Sequence, residues 1–189
     1  MPSPLRSPLA LIGALLLSTS LFASEKRLAE AAFAASVTPE KGNQVLQLRN
    51  SHLLEYLFVD VYSAALYAPA DIELAQLMSS DASLRLELYY YRSISREDVI
   101  KAAWTALQRQ YDELTLARLK PGIDQLHANL SDISDGDRYS LTRHQGKLVL
   151  RHNEKITFES EDPQLANAYL GIWLSPNGLS EELRTALLE

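Results

Sequence analysis

The stretch Leu170-Gly171-Ile172-Trp173-Leu174-Ser175-Pro176-Asn177, followed by Glu182-Leu183-Arg184-Thr185-Ala186-Leu187-Leu188, decides how this chain is read. The first part ends one short helix, turns at Ser-Pro-Asn and leads into a second. The sequence therefore predicts helices at about Pro163 to Gly171 and Ser180 to Leu188. Ahead of them Gly136-Asp137 supplies a turn into Arg138-Tyr139-Ser140-Leu141-Thr142-Arg143. This segment pairs through His144-Gln145-Gly146-Lys147 with Leu148-Val149-Leu150-Arg151. Counting outward from that turn sets 144 opposite 147 and 151 opposite 140. A third strand, Lys155 to Ser160, follows the turn at Asn153-Glu154 and completes a meander.

Further back, Val99, Ala102, Ala103, Ala106 and Leu107 recur at helical spacing after Ser95, which can cap the helix together with Asp98. The stripe breaks near Leu114-Thr115 and resumes at Leu116, Leu119, Ile123, Leu126 and Leu130, so two helices or one kinked at Pro121 both fit. Leu84 to Tyr91 alternates strictly and reads as a strand with one wet face. A short helical piece lies around Ile72 to Met78. Leu54 to Ala68 reads as one long extended segment, apolar on both faces and hence a covered central strand, after a first short strand at Val45 to Arg49. Residues 25 to 36 read as a weak helix or loose leader. Strands, then helices, then strands, then helices give an α+β domain, a mostly antiparallel sheet with helices packed on one face.

The N-terminus has its own character. Arg6, the apolar run Leu9 to Leu17 and the small polar Ser18-Thr19-Ser20 have the layout of a cleavable secretory signal, with a cut after Ala23. The run is too short for a bilayer of about 30 Å, and an uncleaved anchor is the alternative. The expected division is thus a signal peptide at 1–23, a leader segment at 24–43 and one domain at 44–189. The chain has 189 residues and a net charge of −6, and the signal holds one basic residue and no acid, so the cleaved chain is one unit more acidic. Scattered basic residues in an acidic chain argue against nucleic acid as a partner. There is no cysteine, which excludes disulfides, thiol redox chemistry and lipidation at the cleavage point. These features predict a free periplasmic protein with no stable membrane insertion after cleavage. They leave its oligomeric state open.

The order of Val61-Tyr62-Ser63-Ala64-Ala65-Leu66-Tyr67, Ile133-Ser134-Asp135-Gly136-Asp137 and the C-terminal stretches resembles the chalcone isomerase-like family, in particular its exported bacterial branch. The resemblance implies a sheet and helices enclosing an apolar cleft, used in plant relatives to cyclise a chalcone or to hold a fatty acid. Both plant activities rely on an arginine shortly after a glycine. Counting back from Val61-Tyr62, that arginine position falls on Leu54, and its glycine neighbours become Asn50 and His52. Arg49 is five residues away and on the other side of a strand. The departure argues against an isomerase.

Other chemistry finds little support. His52, His127, His144 and His152 are spread over separate elements without ligand spacing, so no metal is predicted, and no cofactor either. No serine sits between glycines at a strand-turn-helix junction, and Gly136 stands alone, so neither a nucleophile elbow nor a phosphate loop is visible. Tyr89-Tyr90-Tyr91-Arg92 ends a strand just before a helix, where Arg92 can meet an anionic head group while rings line an apolar bore. The plain alternative is a strand surface filled by tyrosines. Trp104 and Trp173 are wall or core residues, and Asp135, Asp137 and Arg138 a polar turn. The candidate ligand-binding residues are Tyr62, Tyr91, Arg92 and Trp104. The reading is an exported, non-catalytic protein binding a fatty acid or other apolar small molecule. Alternatives are an isomerase or lyase-type enzyme using Tyr62, Tyr91 or Arg92, and a partner-binding envelope protein with a closed cleft.

Overall fold

The computed structural model describes residues 24–39 and 43–189. The signal peptide expected at 1–23 lies outside them. Seven antiparallel strands run in strict chain order: β1 (Ser36–Val37), β2 (Leu46–Tyr56), β3 (Val59–Ala68), β4 (Leu84–Tyr90), β5 (Arg138–His144), β6 (Lys147–His152) and β7 (Lys155–Ser160). Helix α1 spans residues 24–31. Helices α2 (Arg96–Gln110) and α3 (Glu113–Ala128) stand between β4 and β5, and α4 (Pro163–Leu174) and α5 (Glu181–Leu188) end the chain.

The meander has the expected register, with His144 opposite Lys147 and Ser140 opposite Arg151. Gln145 and Gly146 make its first turn with φ of 51° and 76°, and Asn153 opens the next with φ of 53°. Glycine and asparagine tolerate the left-handed region, so Gly146 and Asn153 let these turns be read from the sequence. The same local logic holds at helix starts. Ser95 and Ser180 accept from the amides of Asp98 and Leu183, and Asp112 accepts from Thr115, which separates α2 from α3 as two helices.

The segment from Leu54 to Ala68 is different. It is a hairpin rather than one extended strand: β2 turns at Leu57-Phe58, with φ of 49° and 64°, and returns as β3 with Tyr56 opposite Val59. A two-residue turn of this hand favours Asn-Gly, and nothing in Leu-Phe announces it.

Helix α4 is the hub of the core. Every residue from Leu165 to Leu174 except Asn167 is buried. The chain then folds back tightly: the Leu179 amide donates to the Ile172 carbonyl at 2.9 Å. A Cβ on Gly178 would stand 2.5 Å from that carbonyl oxygen, so only glycine fits there. Leu183, Leu187 and Leu188 bring α5 back to the same core, where it covers β2.

Helices α2 to α5 lie on one sheet face, over Tyr62, Leu66, Leu86, Leu88, Leu141 and Leu150. The opposite face is covered as well. Helix α1 crosses it, and Phe33 and Val37 pack on Leu46, Ala65 and Tyr67. The alternation in β4 therefore marks a polar face that is not wet: Glu87 is buried between Arg85, at 3.0 Å, and Arg138, which also donates to the Ala31 carbonyl.

Candidate ligand slot between sheet and helices

Strand alternation sends Leu86, Leu88, Tyr90, Tyr139, Leu141 and Leu150 toward the helices, which answer with Val99, Tyr169 and Trp173. The slot between them holds about 30 Å³. That is room for roughly one water molecule. Tyr90, Tyr139, Tyr169 and Trp173 line it, and they belong to a longer run of aromatic side chains. Trp104 meets His127 edge-on at 5.9 Å, His127 meets Tyr169 at 5.8 Å, and Tyr169 meets Trp173 at 6.3 Å. Trp173 Nε1 donates to the Tyr62 hydroxyl at 3.1 Å. Tyr62 packs on Tyr90 at 5.3 Å, Tyr90 on Tyr139 at 6.3 Å, and Tyr139 stacks on His152 at 4.3 Å.

Burial sets the electrostatics of this layer. It pushes the Tyr62, Tyr90 and Tyr169 hydroxyls well above their ordinary range, so they act as neutral groups. Burial likewise lowers His127 to about 4, despite the opposing pull of Asp124. Its Nε2 has no hydrogen-bond partner. A neutral imidazole in an apolar wall is the result.

The rim of the slot is polar. Ser131 Oγ lies 3.2 Å from His152 Nδ1 and 3.3 Å from the Tyr139 hydroxyl. Asp137 Oδ2 lies 3.0 Å from His152 Nε2, close enough for an ion pair but off the line of a hydrogen bond. Burial raises the Asp137 carboxyl, yet the Ser134 amide, Asn153 and His152 outweigh that and hold it below the usual carboxylate range. A serine, an imidazole and a carboxylate thus meet. The imidazole lies flat on Tyr139, and the Ser131 amide faces the Tyr139 hydroxyl at 3.5 Å, so the imidazole and the serine are both held in place there.

The four predicted residues are not brought together. Tyr62 and Trp104 stand at separate points of the aromatic run, behind Trp173 and His127, and neither lines the slot itself. Tyr91 points to the opposite face, where its hydroxyl takes a bond from Ser63 at 2.6 Å and donates to the Arg27 carbonyl of α1. Arg92 is exposed, beside Tyr91, Arg27 and Phe58 at the end of the β2–β3 hairpin. Tyr139, Tyr169 and Ser131 are not among the sequence candidates, and His127 is weighed there only as a metal ligand. Tyr139 alternates with Leu141, and His127 follows the stripe Leu119-Ile123-Leu126, and these signals point inward.

Leu54 lies opposite Tyr62, half-buried against the core, with no arginine in its place. Arg49 is held elsewhere, donating to the carbonyls of Pro69 at 2.6 Å and Ile72 at 3.1 Å. Asn50 donates to the Leu187 carbonyl at 3.1 Å, and His52 lies 3.7 Å from Glu182, so both neighbours of the changed position serve to dock α5. Arg143 is the arginine buried on the helix side. It donates to Asn167 at 2.6 Å and to the carbonyls of Leu77 and Ala82, a structural clamp.

A larger surface hollow, about 240 Å³, lies on the opposite face near Pro39, lined by Arg85, His144, Lys147, Glu159 and Glu161. Its mixed charge suits solvent better than an apolar guest. Among the described residues no group of three or more His, Asp or Glu side chains is placed to hold a metal, and no helix is long and apolar enough to cross a membrane.

The family model described as chalcone isomerase-like matches residues 25–189. A solved structure of a fatty-acid binding protein from Arabidopsis thaliana superposes with a TM-score of 0.59 at 15% identity, covering 81% of this chain and 95% of that one. No curated protein matches the chain.

Proposed function

Because the chain belongs to the chalcone isomerase-like family, we propose that it is an exported, non-catalytic protein that holds a small apolar or lipid-like molecule between the sheet and helices α2 and α4. The observation that carries this is the aromatic-lined slot, apolar along its length and polar only at the rim. The fatty-acid binding of the structural neighbour accords with such a guest. The rim sharpens its chemistry. Asp137 beside His152 opposes a second carboxylate, whereas Ser131 and Tyr139 can exchange hydrogen bonds with a hydroxyl or carbonyl head. A neutral head group on an apolar body fits better than a fatty-acid anion. At about 30 Å³ the slot must widen to admit it, by α2 and the loop carrying Ser131 moving off the sheet.

The small volume also favours a second reading, an envelope protein that binds a partner with its cleft closed. Delipidated protein titrated with a long-chain alcohol, the matching fatty acid and a hydrophobic dye separates the two. Saturable binding of the alcohol, stronger than that of the acid and lost in Val99→Trp, supports the slot. No binding by any of the three removes it and leaves the closed-cleft reading.

A further inference from the structure

At the tip of the β2–β3 hairpin four consecutive apolar side chains face solvent: Tyr56 is 68% exposed, Leu57 74%, Phe58 100% and Val59 41%. Leu57 and Phe58 hold the left-handed backbone there, at a cost of about 1 kcal/mol each. Folding gains nothing from large apolar groups at such positions, and Asn-Gly would form the turn more easily. We propose that this tip is a lipid-contact site, in which Leu57 and Phe58 enter a bilayer surface while Tyr56 and Arg92 stay level with the head groups. The proposal stands whether or not the slot takes a ligand.

Shape and size select the occupant. The tip is convex and its four side chains offer on the order of 500 Å², short of the roughly 800 Å² that each partner of a standard protein interface buries. A soft acyl layer accepts such a projection without a matching surface, and aromatic groups favour its boundary. Arg92, exposed at the base of the tip, suits a phosphate.

The base of the tip is held by the rest of the domain: Arg27 of α1 pairs with Asp60 at 2.6 Å and lies 4.5 Å over the Tyr91 ring, so the projection stands on a fixed platform.

The chain has no cysteine, so Phe58→Cys gives a single labelling site. Leu114→Cys, at a position 83% exposed at the start of α3, is the control. With a nitrobenzoxadiazole dye on each full-length variant, vesicles of phosphatidylethanolamine and phosphatidylglycerol should shift emission to the blue at 58 and not at 114. Nitroxide-labelled acyl chains should quench the same site. The double substitution Leu57→Asp with Phe58→Asp should lower vesicle partition at least about tenfold. Equal responses at both sites, or none at 58, overturn the proposal. A blue shift at 58 that grows with protein concentration without vesicles overturns it in favour of a second copy of the chain.

Discussion

The two faces of the sheet are built by opposite means. Toward α2 to α5 the side chains are mostly aliphatic and aromatic, and apart from the Arg143 clamp, the Asn50 bond to α5 and the Trp173 bond to Tyr62 their cohesion is burial, which has no direction. Toward α1 the face is laced with directed bonds: Glu87 between Arg85 and Arg138, Arg138 to the Ala31 carbonyl, and Tyr91 between Ser63 and the Arg27 carbonyl. A face held by burial can slide or part along its contact. A face held by paired charges keeps its register. The contrast teaches which side of the sheet can open for a guest while the other keeps the strands in place.

The sharpest way to break this contrast is Trp173→Ala. It removes the largest ring of the slot and the donor to Tyr62, and should lower stability by about 4 kcal/mol in urea denaturation. A loss below about 1 kcal/mol would show that the slot side contributes little cohesion. Next, Glu87→Ala leaves Arg85 and Arg138 facing each other beneath α1, at an expected cost of about 3 kcal/mol. A neutral result would make the polar face dispensable. The smallest effect is that of acid on the helix side. His127 is neutral when folded down to about pH 4 and titrates near 6.5 when unfolded, so the unfolded chain binds the extra proton between these values. Stability should fall as pH drops through that window, by on the order of 2 kcal/mol between pH 6.5 and pH 5, and His127→Gln should remove that part of the slope.

How far the sequence discloses this molecule is best seen at its two-residue turns. Gln145-Gly146 is legible because glycine accepts positive φ, and from it the register of β5, β6 and β7 follows residue by residue. Leu57-Phe58 adopts the same hand with residues that disfavour it, so two strands read as one. The alternation of β4 is legible as two unlike faces, but not that α1 covers the polar one. That cover depends on a segment whose Ala-rich sequence has weak pattern. Near the candidate site, Tyr62 and Trp104 could be picked out as aromatics on an inward face, though neither lines the slot. The residues that line the slot could not, because it assembles β4, β5, β6, α2, α4 and the loop after α3, and periodicity within one element does not say which ring meets it from another.

The bond between Asn50 and the Leu187 carbonyl joins positions 137 residues apart, whereas each strand of the sheet pairs with the next in the chain. Loop closure is therefore progressive from β1 to β7, with the crossing to β5 spanned by helices that form locally. Strand β2 stays bare on its helix side until α5 arrives. A chain emerging N-terminus first thus leaves this strand uncovered until α5 has been made, and removing the last turn of α5 would bare it again.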